Sequence, residues 1–535
     1  MSFFSLFLLF SILLNTISNT SAFSSQPGIC YGQLGNNLPK PSKSISLIKS
    51  LNAKRIKIYD TNPQILTTLR NTNIQVSIML PNELITNIST NQTLSDQWIK
   101  SNVLPYYPQT LIRYILIGNE IISSTPNSTW LHLVPAMRRI KHSLKKLRIK
   151  KIKVGTSSAM DVLETSFPPS NAAFRKDVAL QVIKPMLRFL NRTGSFFFLD
   201  VYPFFPWSSD PVNINLDYAL FRASNVTVKD PGSGLVYTNL FDQMVDAVYF
   251  AMEKLGFPDI RIFIAETGWP NGGDVDQIGA NVFNAATYNR NFVKKVMEKP
   301  GTPARPGLIL PSFLFALFNE NIKPGPGTER NFGLLYPNGS WVYEIDLSGE
   351  TPESEFPMLP PPDNNEPYKG KIWCVAARGS NVTALGAALS YACSQGNRTC
   401  EPIQPGKECS KPDSVFWHAS YAFSSYWAQF KKIGGTCYFN GLATQTAKDP
   451  NSSPPISLIE ALSTVLLRYN TMDNNEDARL LVEEVLDRFA FHRYVNGLNI
   501  HAALATVRDE VICQTWMYLV DIHNDLVGGI SLGCY

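Results

Sequence analysis

The sequence has little charge and no apolar run long enough to cross a membrane at its N-terminus. Only 17% of the 535 residues are Asp, Glu, Lys or Arg, while 11% are aromatic, and this balance excludes an intrinsically disordered chain. The apolar stretch at residues 3–14 spans about 12 residues, whereas a transmembrane helix needs roughly 20. We therefore predict no transmembrane segment. The chain is too long for one ordinary core, so two or three domains are expected.

Histidine is scarce, and its distribution argues against two kinds of active site. Only His132 and His142 fall within the first 346 residues, both on one helical stretch. A Ser-His-Asp triad and a histidine-bound metal therefore lack their key residue at the predicted strand ends. No Gly-rich phosphate loop follows the first predicted strand, which disfavours a nucleotide-binding sheet. We predict neither a metal nor a cofactor.

The N-terminus and the sequons indicate secretion. Small polar residues follow the apolar stretch, and Thr-Ser-Ala at 20–22 fits cleavage of a signal peptide (1–22), although no Lys or Arg precedes the stretch. Many sequons predict a glycosylated surface, and nine follow the signal: Asn87, Asn91, Asn127, Asn191, Asn225, Asn338, Asn381, Asn397 and Asn451. The last residues, "HNDLVGGISLGCY", contain no sustained apolar stretch, so we expect no lipid anchor.

Cysteine is sparse outside one segment. Cys30 stands alone, and a cluster within 64 residues comprises Cys374, Cys393, Cys400, Cys409 and Cys437. In an oxidising compartment this cluster predicts a disulfide framework. A zinc site is the weaker alternative, because the cluster has no C-x-x-C pair and one histidine, His418.

The net charge of +5 is unevenly distributed. Residues 451–535 carry 5 Arg, no Lys and 11 acidic residues, a balance of −6, so the rest of the chain carries +11. A basic secreted body suits a polyanionic matrix such as pectin. Nucleic acid is not an expected partner, because the basic residues are scattered and the export signal points outward.

Short apolar strands alternate with helix-like segments between residues 26 and 346. The helix-like segments include "SDQWIKSNVLPYY" (95–107) and "LFDQMVDAVYFAMEKLG" (240–256). The predicted strands are "GICYGQLG" (28–35), "RIKIYD" (55–60), "QVSIML" (75–80), "YILIGNE" (114–120), "KVGTSSAM" (153–160), "FFFLDVYPF" (196–204), "RIFIAETGW" (261–269) and "FLFALFNE" (313–320). Eight strand–helix units predict an α/β fold, the closed parallel (β/α)8 TIM barrel. An open doubly wound sheet is the alternative.

The rest of the chain divides into three parts. Residues 347–367 are rich in Pro and acidic side chains and have no periodicity, so they are predicted to form a linker. The cysteine-rich segment covers 368–450. A second Pro-containing break, "DPNSSPP", precedes an acidic tail, 451–535, whose apolar periodicity favours a small helical unit.

Three predicted strands end in a glutamate. Glu120, Glu266 and Glu320 close the fourth, seventh and eighth strands, and a carboxylate just beyond a buried strand is costly unless it is used or paired. Barrel active sites lie at the C-terminal strand ends, so these carboxylates should face one cleft. Two carboxylates across a cleft are the equipment of a glycosidase. The structural alternative is that each glutamate is held by Lys or Arg.

Other side chains near these strand ends are candidates for sugar contacts. Asn119 precedes Glu120, and a neighbouring amide can hold the 2-hydroxyl of a sugar. Aromatic rings can stack on sugar rings, and core packing is the alternative for each. The aromatic candidates are Tyr31, Tyr202, Phe205 and Trp269.

The motifs "GICYGQLGNNLP", "YILIGNE", "FLDVYPFF", "FIAETGWPN" and "FALFNENIKPGPGTERNFGLLYPNG" resemble glycoside hydrolase family 17, the plant endo-β-1,3-glucanases, from about residue 27 to 346. The resemblance implies a retaining mechanism, with Glu120 as general acid/base and Glu266 as nucleophile. It implies that Glu320, Lys323 and Glu329 orient them. Asp200 stands where many members have Asn, which bears on subsite preference.

We expect a secreted, extracellular enzyme of the cell wall that acts as a monomer. Its expected partner and substrate is β-1,3-glucan, either callose or fungal wall glucan. A wall-binding protein with an inactive barrel is one competing hypothesis. A barrel glycosidase for cellulose or chitin is another.

The cysteine segment resembles a second family. "WCVA", "ALSYAC", "CEPIQPG", "HASYAFSSYWAQF" and "GGTCYFNGLATQTAKDP" are similar to the carbohydrate-binding module of family 43, which binds β-1,3-glucan and carries six cysteines. The analogy implies the pairs Cys374–Cys437 and Cys393–Cys400 and leaves Cys409 without its usual partner. We predict a free thiol at Cys409 in preference to a bond to Cys513 or Cys534. The module should then be less stable than the barrel.

Overall fold

The computed structural model of the protein describes residues 25–222, 225–411, 413–448 and 450. The predicted signal peptide (1–22) and the predicted helical tail (451–535) lie outside these described residues. The chain divides into two compact units, a barrel unit that extends to Asn365 and a second unit that contains the cysteine-rich segment.

Parallel strands form the central sheet of the barrel unit. In chain order they are β1 Gly28–Tyr31, β2 Arg55–Ile58, β3 Gln75–Leu80, β4 Leu111–Ile117, β5 Lys153–Gly155, β6 Ser157–Ser158, β7 Phe197–Asp200, β8 Ile262–Thr267 and β9 Ser312–Leu314. Hydrogen-bonded neighbours follow the order β5-β4-β3-β2-β1-β9-β8-β7-β6. Thr156 alone separates β5 from β6, so these two segments form one interrupted strand and the sheet closes on itself. The predicted (β/α)8 barrel is confirmed.

Helices connect the strands. The longer α-helices of the barrel unit are Pro41–Ser50, Pro63–Thr68, Ile85–Thr90, Gln92–Asn102, Asn127–Lys146, Lys184–Thr193, Phe204–Ser209, Leu240–Lys254 and Val282–Glu298. Short α-helical turns are Ile121–Ser124, Lys176–Val178 and Leu216–Ala219, with a π-helical turn at Ala179–Ile183. The 3-10 turns are Asn82–Leu84, Met160–Val162, Pro169–Asn171, Gly327–Arg330 and Glu353–Glu355. Three small ribbons pair Leu163–Thr165 with Ala173–Phe174, Val228–Lys229 with Val236–Tyr237, and Gly301–Thr302 with Arg305–Pro306.

Asparagine side chains begin several of these helices. Asn239 accepts a hydrogen bond from the Asp242 N–H, and Asn281 does the same for the Asn284 N–H. Such caps satisfy backbone donors that have no partner inside the helix. The helix predicted over 240–256 is confirmed as Leu240–Lys254, with its cap immediately before it.

Aromatic rings fill the interior of the barrel. The ring of Phe263 lies 5.1 Å from that of Tyr114, 5.3 Å from that of Phe198 and 5.2 Å from that of Phe313. Isoleucines at alternate positions, such as Ile115 and Ile264, are fully buried as well, because a parallel barrel covers both faces of its strands. A packed interior leaves the strand ends as the place for a site.

The Pro-rich segment after the barrel is attached to the barrel unit over much of its length. The ring of Phe356 lies under the guanidinium of Arg290, 4.0 Å from its carbon. Asn281 and Asn284 donate to the side-chain oxygen atoms of Asn364 and Asn365, at 2.7 and 2.6 Å. As far as Asn365, the segment predicted as a linker therefore packs against the barrel helix Val282–Glu298 and its cap.

The second unit contains a small disulfide-bonded domain. β10 Trp373–Ala376 and β11 Ala443–Thr446 form an antiparallel ribbon, accompanied by the helices Val382–Ser394 and Val415–Phe430. Its 3-10 turns are Glu401–Ile403, Lys431–Ile433 and Phe439–Gly441. The disulfides implied by the resemblance are confirmed, with Cα–Cα distances of 5.7 Å for Cys374–Cys437 and 5.2 Å for Cys393–Cys400.

The prediction of a free thiol at Cys409 is wrong. Cys409 is disulfide-bonded and 6% exposed in the core of the domain. The prediction failed because bridging depends on a Cα–Cα distance below about 7 Å, which sequence spacing does not report. The alternatives Cys513 and Cys534 lie outside the described residues. Among the described cysteines, Cys30 is the free one.

No helix among the described residues has the length and apolar character needed to cross a membrane.

Candidate active site

Glu266 lies near the C-terminal end of β8 and is 6% exposed. Three side chains donate hydrogen bonds to its carboxylate. Lys57 Nζ and Tyr59 Oη donate to Oε1 at 2.7 and 2.6 Å, and Tyr202 Oη donates to Oε2 at 2.7 Å. Both oxygen atoms are therefore fixed by side chains from two other strands of the barrel or the loops that follow them: Lys57 and Tyr59 from β2, and Tyr202 from β7.

Lys57 decides the charge of Glu266. Burial alone would raise the pKa of Glu266, but the ammonium of Lys57 and the hydrogen bonds from Lys57, Tyr59 and Tyr202 outweigh it, so the pKa lies below its ordinary value. Burial would likewise lower the pKa of Lys57, and the carboxylates of Glu266 and Asp200 raise it instead. The fully buried ammonium therefore stays charged and keeps Glu266 ionised.

The environment of Glu120 shifts its pKa in the opposite direction to that of Glu266. It follows β4, and its backbone is left-handed, with φ 46° and ψ 45°. Burial and the nearby Glu266 carboxylate raise the pKa of Glu120 to about 7. Below this pH Glu120 carries a proton. The Asn119 side chain beside it accepts a hydrogen bond from Ser157 Oγ at 3.0 Å, which fixes its orientation.

The third predicted glutamate, Glu320, lies on the loop after β9 and binds a backbone N–H near the start of the chain. Glu320 is 3% exposed, and its Oε1 accepts from the Leu34 backbone N–H at 2.7 Å. A Cβ at Gly32 would clash with this carboxylate, so glycine leaves room for it. Lys323 Nζ pairs with Glu329 at 3.0 Å and lies 4.3 Å from the ring centre of Phe315. Burial raises the pKa of Glu320 most, and the carboxylates of Glu266 and Glu329 add to this rise, so Glu320 lies within the electrostatic reach of Glu266.

The aromatic candidates separate into two groups. Tyr202 binds Glu266, and Phe205, 43% exposed, packs its ring against Tyr202 at 5.5 Å. Trp269 is fully buried, and its Nε1 donates to Gly279 O at 2.8 Å. Tyr31 is 2% exposed, with its ring 6.2 Å from that of Phe318. Both rings are buried, which favours the core-packing alternative for Trp269 and Tyr31, and their contact with sugar stays a prediction.

Sequence reasoning missed Lys57 and Tyr59. They alternate with Ile56 and Ile58 in "RIKIYD". Strands buried on both faces are normally continuous apolar runs. Polar residues at every second position of such a strand were the signal that one face lines a polar site.

Asp200 is a second carboxyl group beside Lys57. It is the register partner of Glu266 across β7 and β8, and it lies 3.9 Å from Lys57 Nζ. Neither of its oxygen atoms has a hydrogen-bond partner among the described residues. Burial and the Glu266 carboxylate raise its pKa well above the ordinary value. One ammonium therefore faces two buried carboxyl groups, of which Glu266 has the shorter contact.

The arrangement suits displacement chemistry at a sugar. One carboxyl group is held ionised and oriented, and a second, protonated at mildly acidic pH, lies within its electrostatic reach. Such a pair can supply a nucleophile and a proton to the two sides of one bond. No group of three or more His, Cys, Asp or Glu side chains in the described part of the chain is placed to hold a metal ion.

Two families match the chain. "Glycosyl hydrolases family 17" matches residues 27–347, and "X8 domain" matches residues 372–444. "Probable glucan endo-1,3-beta-glucosidase A6" of Arabidopsis thaliana is 53% identical over 431 residues, which is 80% of this chain and 90% of that protein. "Glucan endo-1,3-beta-D-glucosidase" of Olea europaea is 35% identical over 447 residues, 83% of this chain and 95% of that protein.

Solved structures resemble the barrel unit. CJP38, described as a beta-1,3-glucanase and allergen of Cryptomeria japonica pollen, is 41% identical with a TM-score of 0.57, and the match covers 60% of this chain and 99% of that chain. One of two plant beta-glucan endohydrolases with distinct substrate specificities is 36% identical with a TM-score of 0.55, over 60% of this chain and 99% of that chain.

Proposed function

This chain belongs to family 17 of the glycosyl hydrolases, and from that premise we propose that it cleaves internal bonds of β-1,3-glucan with retention of configuration. Glu266 is the nucleophile and Glu120 the general acid/base. The observation that carries the proposal is the opposite electrostatic environment of the two carboxyl groups: the pKa of Glu266 is lowered, whereas that of Glu120 is raised to about 7.

In the first step, Glu266 attacks the anomeric carbon and forms a glycosyl ester. Glu120 donates its proton to the leaving oxygen as the glycosidic bond breaks. Lys57, Tyr59 and Tyr202 fix the two oxygen atoms of Glu266 before the attack, so little reorganisation is needed when the bond forms.

In the second step, water attacks the anomeric carbon of the ester, and the carboxylate of Glu266 is released. Ester formation removes the negative charge of Glu266, which is one of the causes that raise the pKa of Glu120. The pKa of Glu120 should fall accordingly, so that its carboxylate can take a proton from the attacking water. Retention also requires the two carboxyl groups to lie about 5–5.5 Å apart, a separation that remains a prediction.

The remaining parts of the proposal concern substrate and place of action. The X8 domain over residues 372–444 would hold the enzyme on insoluble β-1,3-glucan while the barrel cleaves it. The substrate is callose or fungal wall glucan, and the enzyme acts as a secreted, glycosylated monomer in the cell wall. Exposed Phe205, next to Tyr202, is the aromatic candidate that retains a face for a sugar ring.

A digest of linear β-1,3-glucan with sizing of the products tests this function. Internal cleavage should release a ladder of oligosaccharides, while cellulose and chitin remain intact. Glu266→Gln should lose turnover but still sediment with insoluble β-1,3-glucan, because an amide cannot form the ester. Release of sugars from cellulose or chitin alone, or wild-type binding without hydrolysis, would overturn the proposal in favour of one of its competitors.

A further inference from the structure

The chain segment that carries the proposed acid has an unusual backbone. Gly118 and Glu120 both have positive φ, at 72° and 46°. Glycine tolerates this conformation, but a glutamate is strained in it and keeps it only when its surroundings hold it there. The contacts that hold residues 118–120 therefore determine where the Glu120 side chain begins.

Asn82 makes the contacts that enclose this turn. It follows β3 and begins the 3-10 turn Asn82–Leu84. Its Oδ1 accepts a hydrogen bond from the Asn119 backbone N–H at 2.8 Å, and its Nδ2 donates to the Asn119 carbonyl at 3.2 Å. One side-chain amide thus binds both backbone polar groups of the residue immediately before Glu120.

The turn is packed closely around this amide. A Cβ at Gly118 would come within 2.8 Å of Asn82 Oδ1 and closer still to Ile121, so the backbone approaches Asn82 as near as glycine permits. Ser124 Oγ accepts from Asn82 Nδ2 at 3.4 Å, and its one proton is shared between the carbonyl oxygens of Asn119 and Glu120, at 3.2 and 2.8 Å.

We propose that Asn82 is a positioning residue for Glu120, acting through the backbone of Asn119 to keep the acid aimed at the leaving oxygen. The inference deepens the proposed function and rests on the role given there to Glu120. An amide is required because it offers an acceptor and a donor side by side. Aspartate keeps the acceptor and loses the donor, and alanine loses both.

Substrates that differ in their need for an acid test the role. In Asn82→Ala, kcat/KM for laminaripentaose should fall about 10- to 100-fold, a part of the 10²–10⁴ that a positioned acid contributes. For 2,4-dinitrophenyl β-laminaribioside, whose leaving group needs no proton, kcat/KM should fall less than about threefold. Asn82→Asp, whose side chain has nearly the same shape as that of Asn, should show the same selective loss of kcat/KM for laminaripentaose.

Two reference variants separate the possible failures. Glu120→Gln should show the same selectivity with a larger loss of kcat/KM for laminaripentaose. If its kcat/KM falls equally for both substrates, the role of Glu120 and this inference both fail. If Glu120→Gln is selective but kcat/KM of the two Asn82 variants falls equally for both substrates, or for neither, only the role of Asn82 is overturned. Asn215→Ala, which removes a side-chain cap from the Tyr218 N–H, should leave the ratio of the two kcat/KM values unchanged.

Discussion

Replacing Lys57 with methionine removes the buried positive charge that keeps Glu266 ionised. Lys57 Nζ lies 2.7 Å from the Glu266 carboxylate, and the two side chains are 0% and 8% exposed. An opposite charge at such a distance lowers a carboxyl pKa by about 1–3. The hydrogen bonds from Tyr59 and Tyr202 remain in the variant, but the effect of burial is no longer offset by Lys57, so the pKa of Glu266 should rise.

The pH profile of kcat/KM reports this change. The acidic limb reflects ionisation of Glu266 in the free enzyme, so in Lys57→Met it should move to higher pH by about 1–3 pH units. Lys57→Arg keeps the charge and should move the limb much less. Lys57→Met should also be less stable than the wild type, because breaking a buried ion pair typically costs about 3–5 kcal/mol.

A second buried pair provides the control for stability. Lys295 Nζ lies 2.8 Å from Asp242, and their side chains are 12% and 8% exposed. Lys295→Met should lower the melting temperature in a comparable way and leave the acidic limb in place. An unmoved limb in Lys57→Met, or an equal movement in Lys295→Met, would refute the role assigned to Lys57.

Three further predictions concern other groups. For laminari-oligosaccharides, kcat/KM should fall as pH rises above about 7, because the raised pKa of Glu120 marks loss of the proton that the leaving oxygen needs; a profile flat to pH 9 would contradict this. Asp200→Asn should keep kcat/KM within about threefold of the wild-type value, because burial and the Glu266 carboxylate raise the pKa of Asp200 well above its ordinary value and so favour the neutral form that Asn imitates; a loss of 100-fold or more would show that its charge is needed. Cys409→Ser should destabilise the X8 domain by about 2–5 kcal/mol, seen as loss of glucan pull-down on mild heating while hydrolysis of soluble substrate continues, and unchanged heat resistance would contradict it.

The barrel could be predicted from the sequence because its strands are buried on both faces. β3 has the predicted bounds, 75–80. The predicted eighth strand ran to Glu320, whereas β9 ends at Leu314. The apolar pattern continues past the point where the backbone leaves the sheet, so composition does not mark the strand end.

The candidate site could be predicted only in part. Glu120 and Glu266 are recognisable because they lie just beyond and near the end of a buried strand, respectively, where a carboxylate is costly. Whether Trp269 stacks on a sugar or packs in the core depends on the direction of its ring, which the sequence does not report; in the structure the ring is buried. Lys57 and Asn82 act through contacts with strands distant in the chain, and the pairing of β2 and β3 with their neighbours establishes those contacts only in the folded barrel.

Covalent trapping tests most directly whether Glu266 is the nucleophile. A laminaribioside with fluorine at carbon 2 and a good leaving group should form the glycosyl ester quickly and hydrolyse it slowly, so that the intermediate accumulates. Mass spectrometry of the peptides after proteolysis should find one fluorinated glycosyl group on the peptide that contains Glu266. A label on a different carboxylate, or rapid turnover with inversion of the anomeric centre, would contradict the mechanism.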